Sequence, residues 1–324
     1  MQRRPLLLLS ILTVLISANI LIFKNLDGLH QLVDSGSKMA IPRQSNQSGK
    51  CVPPSHVFPK EALISDEPLP EKVKDSFKNT INITACFSIA KQGIFFSTEP
   101  MESAGTGSMF EPGLFISARH IFFIMMIELN RRGYPFFIDT NGLPRSDSFH
   151  YTFYGTANIN GQAVSFPLEL IAMGDPYRPK DLAVFKAIDP PSQLTPLEFG
   201  PPANLGDIVY SAGRVASLNP ADDDLNPIRK KVLSDFINFN FKGRISGIVT
   251  DMPNNTYADF KKIYNIRTDL EPGFSGGPVF DKNGKIIGLT ITVSPGLNFS
   301  HAISAEDQQL FIEELRDKGI LSKK

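Results

Sequence analysis

The chain has no tryptophan, only two cysteines and no net charge, with Lys plus Arg and Asp plus Glu at 33 each. A balanced charge lacks the electrostatic footprint of a protein that wraps nucleic acid, so nucleic acid is not an expected partner. Neither cysteine sits in a C-x-x-C pair and the five histidines lack ligand spacing, so no metal, redox centre or cofactor is expected. The acidic run Asp222-Asp223-Asp224 reads as a solvated loop rather than a calcium site. Internal repeats and low-complexity arrays are absent as well. What the chain has in quantity is apolar residue, 42% of 324 positions, together with 25 Phe, 24 Gly and 25 Pro. That composition excludes a disordered or fibrous chain and points to many short elements joined by turns, an all-β fold.

The N-terminus differs from the rest. After Arg3 and Arg4 the stretch Pro5 to Phe23 carries no charge; as a helix it spans roughly 28 Å, close to the hydrocarbon thickness of a bilayer. Residues 1–24 read as a signal anchor or signal peptide. Arg3 and Arg4 keep the N-terminus inside, which places the remainder outside the cytoplasm, periplasmic or secreted. Residues 25–79 are polar and Pro-containing and read as a tether, and 80–324 as the folded domain. Cys51 and Cys86 flank the end of the tether; a bridge between them closes a loop of about 36 residues, worth roughly 3–4 kcal/mol by chain entropy. Two free thiols are the alternative.

Past residue 80, short apolar runs alternate with Gly, Pro and Asn. Strands are expected at 85–90, 108–117, 149–154, 163–172, 182–187, 207–212, 243–249, 279–280, 285–291 and 299–303. Asn283-Gly284 between two apolar runs predicts a tight hairpin turn. Helices are expected at 121–132, ended by Gly133, and from a Ser304 cap to about Lys318.

The segment Glu271-Pro272-Gly273-Phe274-Ser275-Gly276-Gly277-Pro278 is the most specific feature. A serine hydroxyl attacks a carbonyl only if a base takes its proton, and the resulting oxyanion needs backbone N–H donors already aimed at it. Glycines around Ser275 let the backbone bend so that the Gly273 and Ser275 N–H groups converge. A plain Gly-rich turn is the alternative. The base must be one of His30, His56, His120, His150 and His301. Two fall in the tether and two in expected strands, whereas His120 stands at the junction between an apolar strand and an apolar helix. Asp181 opens the run Asp181-Leu182-Ala183-Val184-Phe185 and is the candidate orienting carboxylate.

Ile116-Ser117-Ala118-Arg119-His120, Asp181-Leu182-Ala183-Val184 and Gly273-Phe274-Ser275-Gly276-Gly277-Pro278 together resemble the three motifs of the trypsin-like, chymotrypsin-fold serine peptidases, in that family's order. The likeness covers roughly 80–318 and is nearest the bacterial Deg/HtrA branch. Gly105-Thr106-Gly107-Ser108 and Leu205-Gly206-Asp207 to Gly213 also fit it. It implies two six-stranded antiparallel β-barrels with a C-terminal helix, and no PDZ module is expected after that helix. It further implies a serine endopeptidase acting on polypeptides through His120, Asp181 and Ser275, with Gly273 and Ser275 as the oxyanion hole. By the same resemblance Asp269, six residues before Ser275, stands where a basic-specific pocket has its carboxylate, or is structural. Thr290, Ile291 and Thr292 would wall that pocket.

Two residues depart from the family pattern. Arg119 replaces a small or neutral residue before His120. Phe274 replaces the Asp or Asn before the nucleophile, which removes zymogen activation by an ion pair to a new N-terminus. A catalytically inactive protease-fold binding protein is therefore the first rival. The second is a small-ester hydrolase, because 273–277 formally matches G-x-S-x-G, but that fold requires the order Ser, acid, His.

Overall fold

The structure, a computed structural model, describes residues 61–64, 69–91, 94–160, 162–175, 180–214, 238–250, 260, 262–268, 270, 273–294 and 299–323. The apolar stretch 5–23, Cys51, Asp269, His30 and His56 lie outside the described residues. Among the described residues no helix is long and apolar enough to cross a membrane.

The first barrel is built from β2 (Thr80–Lys91), β3 (Ile94–Glu111), β4 (Leu114–Ser117), β7 (Phe149–Ile159), β8 (Gln162–Met173) and β9 (Ala183–Ala187). It closes in the order β2-β3-β4-β9-β8-β7 with every pairing antiparallel. Inward-facing residues alternate along the strands as a pleated sheet requires. Ile81, Ile83, Ala85 and Phe87 of β2 meet Phe115, Phe153, Phe166 and Phe185 in one core. The abundant phenylalanines are used here: Phe122 and Phe185 stand edge-on to neighbouring rings, with Phe153 and Phe185 centroids 5.1 Å apart. The expected strand 108–117 is two strands, because Pro112 and Gly113 form a turn with Gly113 at φ 72°. Proline lacks the N–H a ladder needs, and glycine supplies the positive φ.

The second barrel joins β10 (Ile208–Arg214), β11 (Asn238–Thr250), β12 (Lys262–Arg267), β13 (Pro278–Phe280), β14 (Ile286–Ser294) and β15 (Phe299–Ser304). Its order is β11-β10-β13-β14-β15-β12, closed by the β11–β12 pairing, and a further strand, β1 (Glu61–Ile64), pairs with β11 in parallel. Val209, Ile245, Tyr264, Ile266, Val279, Ile287 and Ala302 fill its interior. The Asn283-Gly284 turn joins β13 to β14 as expected: Asp281 Oδ1 accepts the N–H groups of Asn283 and Lys285 at 2.8 and 3.0 Å. A short hairpin, β5 (Phe137–Ile138) with β6 (Pro144–Arg145), forms a sheet of its own, with Ile138 packed against the first barrel's core.

Three helices complete the described fold: α1 (Glu71–Phe77), α2 (His120–Arg131) and α3 (Ala305–Asp317). Ser304 caps α3, its Oγ accepting the Asp307 N–H at 3.1 Å. Helix α1 lies in a stretch that composition assigns to the tether. Its Val73 and Phe77 are nonetheless fully buried against Leu197, Phe280 and Ile286, so the packed fold includes residues before Thr80. The two barrels meet along a second apolar cluster. Ile116, Ala118, Ile121, Leu182 and Val184 come from the first barrel, Leu289, Ile291 and Ile303 from the second, and Phe311, Ile312 and Leu315 from α3.

Candidate active site

His120, Asp181 and Ser275 reach this seam from three different connections. His120 begins α2, three residues after β4 ends. Asp181 lies just before β9, which pairs antiparallel with β4 through Ser117 and Ala183. That register sets the His120 and Asp181 approaches side by side despite a separation of 61 positions in sequence. Asp181 Oδ2 faces His120 Nδ1 at 2.6 Å, and its Oδ1 accepts the His120 backbone N–H at 2.8 Å. With Nδ1–H donated to the carboxylate, the Nε2 lone pair is the one left to accept a proton.

The electrostatics follow from burial and charge. Burial acts most strongly on His120 and disfavours the imidazolium. The Asp181 charge and hydrogen bond together outweigh it and raise the pKa above that of an ordinary histidine, against an opposing push from Arg119. The His120 side chain remains 26% exposed, so the ring is held by protein on one side and open to an incoming group on the other.

Ser275 is brought to the histidine side by its backbone. Its carbonyl accepts the N–H of Thr106 on β3 at 2.8 Å, and Thr106 Oγ1 donates to the Gly273 carbonyl at 2.8 Å. Ser117, three residues before His120, donates its Oγ to the Thr106 carbonyl at 2.6 Å. Thr106 therefore couples the serine loop to the histidine strand. Gly276 has φ 80°, and a Cβ there would lie 2.1 Å from Ser117 Oγ and 2.2 Å from the Thr106 carbonyl oxygen. Only glycine fits that conformation and that gap. Gly273, at φ 100°, needs the same freedom. On the other flank, Gly276 N–H donates to the Thr290 carbonyl at 2.7 Å and Thr290 N–H to the Gly277 carbonyl at 2.8 Å.

The remaining sequence candidates divide clearly. Thr290 and Ile291 are buried, Ile291 within the seam cluster, while Thr292 is half-buried. At 290 and 291 the strand therefore offers backbone rather than side chains to a neighbour. His150 is exposed on β7. His301, on β15, pairs with Thr292 and Asn265, and burial lowers its pKa. Cys86 is fully buried in β2 and disulfide-bonded. Sequence reasoning passed over two residues of the site. Thr106 was visible only as part of a Gly-rich stretch, and Arg119 only as a departure.

The family description "Trypsin-like peptidase domain" matches residues 105–289, more than half of the chain. The chain belongs to the trypsin-like peptidase family. "Serine protease HtrA-like" of Staphylococcus aureus is 30% identical to this family member over 149 residues, which is 43% of this chain and 17% of that protein. The match thus spans under a fifth of the curated relative. Among solved structures, an HtrA-type protease with a decapeptide superposes on this trypsin-like chain with a TM-score of 0.51 at 16% identity, covering 77% of this chain and 67% of that one. A protease of M. tuberculosis in its active form gives a TM-score of 0.48 at 18% identity, covering 82% and 92%.

Proposed function

We infer that the chain is a serine endopeptidase that cleaves polypeptides outside the cytoplasm. The observation that carries this reading is the two-point grip of Asp181 on His120 beside a Gly-x-Ser-Gly-Gly loop, in a member of the trypsin-like peptidase family. Ser275 Oγ adds to the scissile carbonyl as His120 Nε2 takes its proton; Asp181 keeps Nδ1 protonated and stabilises the imidazolium. The tetrahedral oxyanion is received by the N–H groups of Gly273 and Ser275. In support, neither N–H donates to a protein acceptor among the described residues. Collapse of the intermediate breaks the C–N bond, and His120 returns the proton to the leaving amine. Water then attacks the acyl-enzyme by the same route in reverse.

Thr290 is bonded to the serine loop on this side, so substrate backbone would lie beyond the end of β13 along Ile291 and Thr292, with Asp269 as the candidate pocket carboxylate. Residues 5–23 would anchor or export the chain and the tether would hold the domain clear of the membrane. Cys51 is the proposed partner of Cys86, the only other cysteine in the sequence.

A fluorophosphonate probe tests the reading. A covalent adduct mapped to Ser275, absent in Ser275→Ala and strongly reduced in His120→Ala, is the expected result. Folded protein that never labels would instead be a latent enzyme awaiting a trigger or a protease-fold binding protein.

A further inference from the structure

Arg119 directly precedes His120 and is 9% exposed. A guanidinium stays charged throughout the pH range in which proteins fold, so burying one requires partners. Here its hydrogen-bond acceptors come from one place, the connection after β8. Nη1 donates to the carbonyls of Gly174 and Asp175 at 3.2 and 2.8 Å, and the charged plane lies over the Phe123 ring, 4.9 Å from its centroid. Those carbonyls open the connection that leads from β8 to Asp181. Its neck is tightly closed: the Gly174 N–H donates to the Leu182 carbonyl at 2.8 Å, and a Cβ on Gly174 would lie 2.0 Å from the Lys180 carbonyl oxygen. Arg119 thus ties the base of the Asp181 loop to the start of α2, where the imidazole stands.

We propose that Arg119 is a positioning residue of the triad, clamping the Gly174–Asp175 neck so that Asp181 meets His120 and placing a fixed positive charge beside the pair. This rests on the peptidase reading above. Few charged groups surround the site. Asp175, Lys180 and Asp181 come from the neck, and Lys180 is engaged by Glu314 of α3 at 2.6 Å. Residues 273–277 of the serine loop add no acidic or basic side chain. Of the charges acting on the imidazole, Asp181 favours the protonated ring and Arg119 disfavours it. Removing the Arg119 charge while the neck stays held therefore leaves His120 protonated to higher pH, where it is no longer a base.

The test uses the full chain with Arg119→Met, which keeps the stem and removes charge and donors, and Arg119→Lys, which restores charge. Arg119→Gln, which keeps an amide donor for the neck, carries the test if the Met variant does not fold. The His120 imidazole is titrated by NMR, and kcat and KM are followed against pH on a peptide substrate. With a donor still on the neck, as in Arg119→Gln, loss of the charge should move the acid limb and the His120 titration up by roughly half a pH unit; in Arg119→Met the freed neck also loosens the Asp181–His120 contact, which opposes that rise. Plateau kcat should fall by about 10- to 100-fold at unchanged KM, and Arg119→Lys should bring the limb back. A folded Met or Gln variant with wild-type His120 titration and plateau kcat overturns the proposal, as does a fall in Tm with neither readout moved. The NMR titration needs no turnover. An inert chain whose His120 still responds to Arg119 therefore removes only the peptidase reading, and an active one whose His120 does not respond removes only this proposal.

Discussion

The Phe274 ring is fully buried and lies directly over Gly213: a Cβ at 213 would sit 2.5–2.6 Å from three of its ring carbons. The serine loop is therefore seated by an aromatic side chain packed on β10, at the position where the family pattern has Asp or Asn. Burial of the ring holds the loop by apolar packing rather than by an ion pair.

Breaking that seat should unseat the nucleophile. Phe274→Ala is expected to cost about 3–5 kcal/mol of stability by removing a fully buried ring, and to abolish fluorophosphonate labelling at temperatures where the variant is still folded. Gly213→Ala should act in the same direction by pushing the ring out. Denaturant unfolding and labelling rate check both; full labelling in either variant would show that the loop is held by something else.

Gly276 should tolerate nothing larger. Gly276→Ala meets both a positive φ and contacts near 2 Å with Ser117 Oγ and the Thr106 carbonyl oxygen. A destabilisation of roughly 3 kcal/mol or more, with loss of labelling, is expected. Gly284→Ala, also at positive φ but against α1, should lower Tm while leaving the labelling of folded protein intact.

The pH dependence has a defined sign. The folded pKa of His120 is raised, so the free base, and with it activity, appears only as pH rises through a midpoint above that of an ordinary histidine. Linkage runs the other way. The His120–Asp181 pair contributes stability fully below the unfolded histidine pKa, about 6.5, and this contribution is lost as pH rises through the folded value. Asp181→Asn should move the acid limb of kcat/KM down and reduce kcat by about 10⁴-fold by releasing the wrong tautomer. A pH–rate series on both proteins decides it.

Reduction should be costly as well. Peptide mapping under non-reducing conditions is expected to recover a Cys51–Cys86 linked peptide, and Cys51→Ser should lower stability by roughly 2–4 kcal/mol. Recovery of Cys51 as a free thiol in oxidised, folded protein would break the proposed pairing.

Much of this protein was legible from local pattern. The all-β class followed from short apolar runs between turn residues, the Asn283-Gly284 hairpin from dihedral preference, and the start of α3 from a serine able to cap it. The His120 and Asp181 motifs pointed to two side chains that the structure brings within 2.6 Å, and the Gly-rich motif to the proposed nucleophile Ser275, because each motif is a local requirement written in adjacent residues. Other features had no local signature. Phe77 and Val73 look like any apolar pair in a polar stretch until β13 and β14 supply the surface they bury against. Strand β12 was missed because Lys262–Arg267 alternates only weakly, and its partners β11 and β15 lie elsewhere in the chain. Arg119 appeared only as an oddity before His120; its role depends on the Gly174 and Asp175 carbonyls, 55 and 56 positions away. The sequence by itself determined which residues can do chemistry and where the chain turns, because capping, turn dihedrals and nucleophile activation depend on neighbours. The tertiary structure alone decided which carbonyls a buried charge would find and which glycine a ring would cover. Those contacts exist only once the two barrels have closed and brought distant segments within bonding distance.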